Sequence, residues 1–599
     1  MSTPVRVADY MASAIAAQGI RDVFMVTGGA AMHLNDAFGR HPDLAVTCFH
    51  HEQAAAMAAE SYYRFTNRLA VLNVTAGPGS TNAITGVAGG HLDSLGMLVV
   101  SGQVKRATLA ASSGLPLRQL GDQEIDIVSM VRGITKHAAR VDDPASIRYH
   151  LEKALALATG GRPGACWLDV PVDVQAARVD ADGLAPYDPE TEPAVALEDP
   201  AAAARRLHEL LAGARRPLVY AGAGVRLAGA EEHLRRLVEA WGTPVVTSLN
   251  GHDLLSDDHP CLAGRPGTIG DRAGNFAVAS ADLIVVLGTR LSIRQVGYDW
   301  SSFAPGATLA MVDVDAAELE KPTLHVEVPI HADLAQVLPR LASLPAEPRE
   351  ELAGWLAWCR ERRRRYPVVL AEHRAADSPA NPYAAVEAVV EAAPAGALVV
   401  CGNGWAGVGA AQAARMREGM RMYSNSSVGS MGHDLPAAIG AALSCPGRPV
   451  LCITGDGSIQ MNIQELQTLV HHRLAVCIVV LANGGYHSIR QTQGRFFPDS
   501  PVGFDAGTGV SLPDLGAIAG AYGLPFWRTD SLSATGPLTA AAFGRTPCMV
   551  EVVVDRSQPF SPKASSKILA DGSMVSPPLH DMAPFLDPGE LAANVLPPV

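Results

Sequence analysis

With 599 residues, 48% of them apolar, the chain is long enough for about four globular units of roughly 150 residues and can furnish several buried cores. A formal net charge of −13 excludes a sequence-independent phosphate-binding surface, which needs clustered Lys and Arg, so no nucleic acid is expected as a partner. Nine cysteines without a C-x-x-C pair argue against a disulfide framework or a zinc site. Arg6 and Asp9 interrupt any apolar signal core, and no run approaches the ~18 uninterrupted apolar residues of a membrane span, so a soluble, cytoplasmic protein is expected.

Short β-branched runs ending in glycine turns before helical patterns recur along the chain. "DVFMVTGGAAMHLNDAF" and "LAVLNVTAGPGSTNAITGVAGG" come first, then "PLVYAGAGV" and "LIVVLGTRL", then "ALVVCGNGWAGVGAAQAA" and "VLCITGDGSIQMNIQELQTLV". Strands alternating with helices imply parallel sheets covered on both faces. A Pro- and acid-rich linker from Val179 to Pro200, and a second ending at Pro382, divide the chain. The expected fold is α/β, with three doubly wound parallel-sheet domains at residues 1–178, 201–344 and 382–559 and a tail at 560–599.

In the first domain, "LAVTCFHHEQAAAMAAESYYRF" reads as a strand that delivers Glu52 to a helix start, where a carboxylate suits the positive end of the dipole. In the middle domain, "YAGAGVRLAG" lacks the third glycine of G-x-G-x-x-G and is by itself a weak dinucleotide signal. The basic run "CRERRRRY" from Cys359 to Tyr366 follows an apolar helical pattern and reads as a helix end whose cations complement the dipole. In the third domain, "GDGSIQMNIQELQTLVHHRLAVCIVVLANGG" sets Asp456 and Asn483 at the ends of neighbouring strands. Mg²⁺ favours six oxygens, partly from protein and partly from phosphates and water, and the Asp456 carboxylate, Asn483 amide oxygen and Gly485 carbonyl would supply three. Gly455 and Gly457 flank the aspartate and let backbone approach, and Ser458 opens a helix "SIQMNIQELQTLV" whose free N–H groups would face a diphosphate.

This arrangement resembles the signature of thiamine-diphosphate enzymes, and the order of motifs along nearly the whole chain resembles the acetolactate synthase-like family. The motifs that coincide are "HEQ" at His51–Gln53, "GPGSTN" at Gly77–Asn82, "GRPG" at Gly161–Gly164, "SMGHDLPAAIG" at Ser430–Gly440 and "GDGSIQMNIQEL". The resemblance implies thiamine diphosphate and Mg²⁺ as cofactors and Glu52 as the carboxylic acid that shares a proton with the pyrimidine ring. It implies Met431 beneath a bent cofactor, backbone groups of Gly429 and Met431 on the pyrimidine, and Gly404, Trp405 and Ala406 as further cofactor contacts. It also implies a homodimer or homotetramer whose active sites lie at subunit interfaces. FAD would occupy the central domain through Arg290, Asp313 and Asp333, although "LSIRQVG" departs from the family's "FDDRVTG".

Simple decarboxylases of this kind carry a glutamate six positions beyond the metal asparagine, where this chain has Ile489, and its only first-domain histidine pair, His50–His51, abuts Glu52. Without those acids, transfer of the acyl carbanion from a 2-oxo acid donor to a carbonyl acceptor is favoured over protonation. "GWAGVG" stands where the family has "GQHQMW", "RQTQ" where it has "RQWQ", and His487 and Ser488 where it has Gly-Met. Asp122 replaces a phenylalanine, and Gln123 either lines the same cavity or is a structural amide. These polar exchanges lead to the expectation of an acceptor larger or more polar than pyruvate, such as a ketone, keto sugar or natural-product intermediate. The alternatives are a true acetolactate synthase and a pyruvate-oxidase-like flavoenzyme. The tail is expected to close over the cofactor or to pack as an arm on the third domain.

Overall fold

The computed structural model describes residues 4–192, 195–347, 349–568 and 573–598; positions 569–572 of the expected lid lie outside the described residues. Three six-stranded parallel sheets form the framework. In the first, the order across the sheet is Ala45–Cys48, Asp22–Met25, Val71–Val74, Met97–Gln103, Ala165–Pro171, His137–Arg140. In the third it is Arg421–Ser424, Leu398–Cys401, Val450–Gly455, Val476–Ala482, Cys548–Val553, Phe526–Thr529. Counted along the chain within each domain, both sheets therefore run 2-1-3-4-6-5. The central sheet runs 3-2-1-4-5-6, the order of dinucleotide-binding sheets, from Leu262–Gly264 at one edge to Val328–His331 at the other.

The continuous apolar run of Val476–Ala482 is what a strand covered on both faces requires. Its alternate residues enter two different cores. Val476, Ile478 and Val480 join a core shared with the first sheet, including Phe24, Leu72, Val99 and Trp167. Cys477, Val479 and Leu481 face a second core with Tyr383, Trp405 and Met422.

Helices Glu52–Thr66 and Asp434–Ser444 carry the shared core, and their seam is nearly all alanine and glycine. A Cβ on Gly440 would lie 2.2 Å from the carbonyl oxygen of Ala58, so the backbones touch there and only glycine fits. Ser61 donates to the Ala437 carbonyl (2.6 Å) across the same seam. The fully buried Glu60 accepts from Arg64 (2.9 Å) and Asn425 (3.2 Å) and meets His433 (3.2 Å), while Arg64 reaches Asp93 (2.7 Å). Burial raises the Glu60 pKa, but His433 and Arg64 outweigh it and hold the carboxyl below its ordinary range.

The helix expected from Ser458 onward is broken. Ile459–Glu465 is 3₁₀ with Asn462 at φ −137°, and the α-helix begins at Leu466. The cause is long-range: the Asn462 amide donates to the Gly432 carbonyl (2.8 Å) and to Gln53 (3.0 Å), which pulls the backbone out of helical register. The tail begins with Phe560 against Trp405 (4.8 Å between centroids) and then follows the central domain. There Ala564 donates to the Thr268 carbonyl (2.7 Å), Arg272 to the Met582 carbonyl (3.2 Å) and Leu596 to Ser280 (3.0 Å). No helix among the described residues is long and apolar enough to cross a membrane.

Candidate active site

Four neighbouring strands of the third sheet end in the turns singled out from the sequence. Leu398–Cys401 leads to Gly404, Arg421–Ser424 to Gly429 and Met431, Val450–Gly455 to Asp456, and Val476–Ala482 to Asn483. The turns are tied to one another. Asn403 donates to the Gly429 carbonyl, Gly432 N–H donates to Ser458 Oγ (2.9 Å), and Asp456 Oδ2 accepts from Gly484 N–H (2.7 Å). This is one continuous ridge at the carboxyl ends of the strands, where open α/β sheets bind ligands.

Asp456 is 5% exposed, and its second oxygen accepts from Gly457 N–H (2.9 Å). Burial pushes its carboxyl up to about 6, against the lowering effect of the surrounding N–H groups. Asn483 is also buried, and its side-chain oxygen has no hydrogen-bond partner. A buried, unsatisfied amide oxygen beside a buried carboxylate is costly alone and suits a hard cation. Gly485, at φ +132°, holds the turn against Phe504, whose carbonyl oxygen would lie 1.9 Å from any Cβ at that position. Among the described residues no group of three or more His, Cys, Asp and Glu is placed to hold a metal. A cation here would therefore depend on the mixed carboxylate, amide and carbonyl set.

Ser458 does not present its hydroxyl to a ligand: it donates to the buried Asp434 (2.9 Å), which also accepts from Thr454 (2.7 Å). The Gly457 and Gly484 N–H groups are engaged by Asp456, and only glycine fits at 457 because a Cβ there would strike the Tyr486 ring at 2.4 Å. Met431 is half-buried in the turn before helix Asp434–Ser444. Trp405 is buried in an aromatic cluster with Tyr383 (4.8 Å), Phe560 (4.8 Å) and His487 (5.5 Å), and Ala406 is buried beside it. His487 is 4% exposed, and its ring nitrogens, like Trp405 Nε1, have no hydrogen-bond partner. Burial, with Arg490 and Lys563 nearby, lowers the His487 pKa to about 4, so the ring is neutral. Ser488 and Ile489 follow it on helix His487–Phe496 and are exposed.

In the first domain Glu52 opens helix Glu52–Thr66, capped by His51 Nδ1, which accepts from Gln53 N–H (3.0 Å). Glu52 is 8% exposed, and its Oε2 accepts from Asn82 Nδ2 (3.0 Å). Asn82 lies near the start of helix Pro78–Leu92, which "GPGSTN" opens, and a Cβ on Gly79 in its first turn would lie 3.4 Å from Glu52 Oε1. Gln123 is exposed at φ +63°, and its backbone carbonyl crowds Gly77, the N-cap of the same helix. Among the described residues no hydrogen bond joins Glu52 to the Asp456 turn. The third domain instead grips the loop before it, through Glu465, which accepts from His50 N–H (3.1 Å).

A cavity of about 620 Å³ opens at the carboxyl ends of the central strands and includes Arg290, Asp313 and Asp333 in its wall. Its size suits a dinucleotide. Gly222 and Gly224 pack on Gly288 so closely that a Cβ on either would lie within 2.6 Å of it. Arg290 donates to Ser427 (2.9 Å), Asp313 accepts from Asp315 N–H (3.0 Å), and Asp333 caps helix Leu334–Leu341 through Ala335 N–H (2.8 Å). Arg162, within the quoted "GRPG", also lines the cavity, held by Asp315 (2.7 Å) and Glu318 (3.0 Å). Asn82, Asp434, Asn462 and Glu465 were legible only as members of motifs, because their partners are distant in sequence.

Two sheets of identical order, one bearing a buried acid and the other a glycine turn with a buried carboxylate and an unsatisfied amide oxygen, beside a sheet of dinucleotide-binding order, describe a thiamine-diphosphate-dependent enzyme. "Thiamine pyrophosphate enzyme, N-terminal TPP binding domain" matches residues 5–130, the corresponding "central domain" residues 204–341, and the "C-terminal TPP binding domain" residues 402–552. The acetolactate synthase large subunit of Parasynechococcus marenigrum is 33% identical over 589 residues, covering 95% of this chain and 90% of that protein. The acetolactate synthase isozyme 2 large subunit of Escherichia coli is 33% identical over 86% of this chain and 89% of its own length. The probable chloroplastic acetolactate synthase 2 of Oryza sativa subsp. japonica is 32% identical over 94% and 86%. The chain belongs to the acetolactate synthase-like family of thiamine-diphosphate enzymes.

Proposed function

We propose that this enzyme is an acetolactate synthase: it decarboxylates pyruvate and joins the remaining acyl unit to the carbonyl of a second 2-oxo acid. Thiamine diphosphate, when bound, supplies the carbon nucleophile and the electron sink for decarboxylation. Glu52, oriented by Asn82, holds the proton shared with the pyrimidine ring. Asp456, Asn483 and the Gly485 carbonyl hold Mg²⁺, while Gly455, Gly457 and Ser458 shape the diphosphate turn. Gly404, Trp405, Ala406, Gly429 and Met431 seat the ring system. The family resemblance implies a homodimer or homotetramer, which would complete each site between subunits. FAD would fill the central cavity against Arg290, Asp313, Asp333 and Arg162. The same reading keeps the domain limits at 178, 201–344 and 382–559.

The observation that carries carboligation is the helix after the metal turn. His487–Phe496 contains no carboxylic acid, and its first residue is a buried neutral histidine, so nothing on it is placed as the acid that would favour release of an aldehyde. Incubation with labelled pyruvate and mass spectrometry of the products test this: acetolactate is expected, and acetaldehyde as the sole product would overturn it. Oxygen consumption coupled to pyruvate use would instead identify a flavin oxidase.

A second reading, an acceptor larger or more polar than pyruvate, is favoured by one feature. Ser488 and Thr492 are exposed beside the apolar Ile489, and the Thr492 hydroxyl donates back to the Ser488 carbonyl (2.9 Å), leaving a low wall of mixed polarity. Product formation only when a ketone or keto sugar accompanies pyruvate would establish it in place of the synthase.

A further inference from the structure

A second large cavity, of about 510 Å³, lies between the central domain, the linker that follows it and the third domain. Six arginines line it (Arg265, Arg360, Arg363, Arg364, Arg374 and Arg415), against four carboxylates, Asp257, Asp258, Asp271 and Glu387. In a chain of formal charge −13 this is a concentrated positive site.

The carboxylates are occupied by the framework. Asp257 accepts from Arg265 (2.9 and 3.0 Å), from Arg363 (2.5 Å) and from Met416 N–H (2.6 Å), and it donates its own N–H to the Met416 carbonyl (2.8 Å). It thereby ties central domain, linker helix and third domain together. Asp271 caps helix Arg272–Ser280, accepting from Gly274 N–H (2.6 Å) and Arg265 N–H (2.7 Å). Glu387 is clamped by Arg374 (2.7 to 2.9 Å). Asp258 has only a solvent-exposed contact with Arg415 (3.2 Å).

Two cations are left over. Arg360 makes no hydrogen bond or ion pair among the described residues, and Arg364 has only Glu361 at 3.8 Å, with its side chain 80% exposed. They stand one turn apart on helix Glu350–Arg365, an i,i+4 like-charge pair that is unfavourable unless an anion lies between them, and Arg363 on the same face fixes the helix to the cavity floor. Guanidinium groups pair with phosphate oxygens through bidentate hydrogen bonds, and Tyr366 and Pro367–Val369 supply a less polar wall beside them.

We propose that this inter-domain cleft binds a nucleoside di- or triphosphate, with its phosphates on Arg360 and Arg364 and its nucleoside against the Tyr366–Val369 wall. The walls belong to three segments that Asp257 joins, so the ligand clamps the central and third domains. The test is calorimetric titration of the holoenzyme, saturated with thiamine diphosphate, Mg²⁺ and FAD, with ADP, ATP, adenosine and inorganic pyrophosphate. ADP and ATP are expected to bind, and adenosine is not. The double variant R360E/R364E is expected to weaken ADP binding at least tenfold while leaving activity without nucleotide unchanged, and R360K/R364K to retain part of it. Absence of ADP binding, or equal affinity in R360E/R364E, overturns the site. Pyrophosphate binding as tightly as ADP overturns the assignment of a nucleotide.

Discussion

Glu465 gives the sharpest quantitative expectation. It ends the 3₁₀ segment Ile459–Glu465 fully buried, accepting from His50 N–H (3.1 Å) and from the Thr468 hydroxyl (2.6 Å). Burial raises its pKa to about 7 from an ordinary 4.5, although these hydrogen bonds and one from His51 act in the opposite direction. Because the folded value is the higher one, the native state keeps a proton between pH 4.5 and 7 that the unfolded chain has released, and stability falls as pH rises through that window. At about 1.4 kcal/mol per unit, the loss comes to about 3 to 4 kcal/mol and levels off above pH 7. Glu465→Gln keeps the shape and an acceptor oxygen but cannot ionise. Urea midpoints of parent and variant, followed by tryptophan fluorescence at pH 5, 6, 7 and 8, are expected to lie close at pH 5 and to diverge in favour of the variant by pH 8. A parent–variant gap that is the same at every pH refutes the reasoning, because it would mean that Glu465 does not titrate in this window.

Three further outcomes are expected. Glu52→Gln should slow exchange of the C2 hydrogen of bound thiamine diphosphate with deuterium by about 10²-fold or more, read by NMR after acid quench, with cofactor affinity little changed. Gly485→Ala forces a side chain into φ +132° and onto the Phe504 carbonyl; a loss of about 2–4 kcal/mol, seen as a lower melting temperature, should accompany loss of Mg²⁺-dependent cofactor binding. Thr492→Trp should fill the low wall over the reacting region and shift product ratios about tenfold toward the smaller of two competing acceptors, measured by mass spectrometry.

What the sequence discloses and what it hides divide along a physical line. Strand–turn–helix order, the placement of Asp456 and Asn483 at the ends of paired strands and the glycines that permit close approach are local properties, and each is found where the pattern implies. The break at Asn462 is not local: its amide serves Gly432 and Gln53, the latter on another domain, and nothing in "SIQMNIQEL" announces that. Ser458 could face a phosphate or an acid, and only the fold reveals Asp434 beneath it. His487 reads as an accessible polar group, yet Trp405 and Phe560 cover it. The arginine run at the end of helix Glu350–Arg365 does place cations in the last turn, but Arg363 turns inward to Asp257, a residue that carries no motif.

The division of rigidity within the chain bears on how specificity is set. The Ala58–Gly440 contact and the buried Glu60, Arg64, Asp93 and His433 network join the first and third domains at backbone distance, and the Glu465 and Asn462 contacts fix the loop that carries Glu52 from behind. A seam of that kind deforms little, because small residues leave no side-chain slack and a buried ion network is destabilised by several kcal/mol when one member moves away. Helix His487–Phe496 is different: it starts on a buried histidine but ends in Phe496 and Phe497, both more than half exposed. The exposed Ser488, Ile489 and Thr492 can therefore change in size and polarity with little effect on Glu52 or the Asp456 turn, whereas Arg490 donates to the Asn483 (3.4 Å) and Gly484 (3.2 Å) carbonyls and is tied to that turn. In the proposed function, selection of the acceptor rests on those exposed positions, while activation of the cofactor rests on Glu52 at the rigid seam.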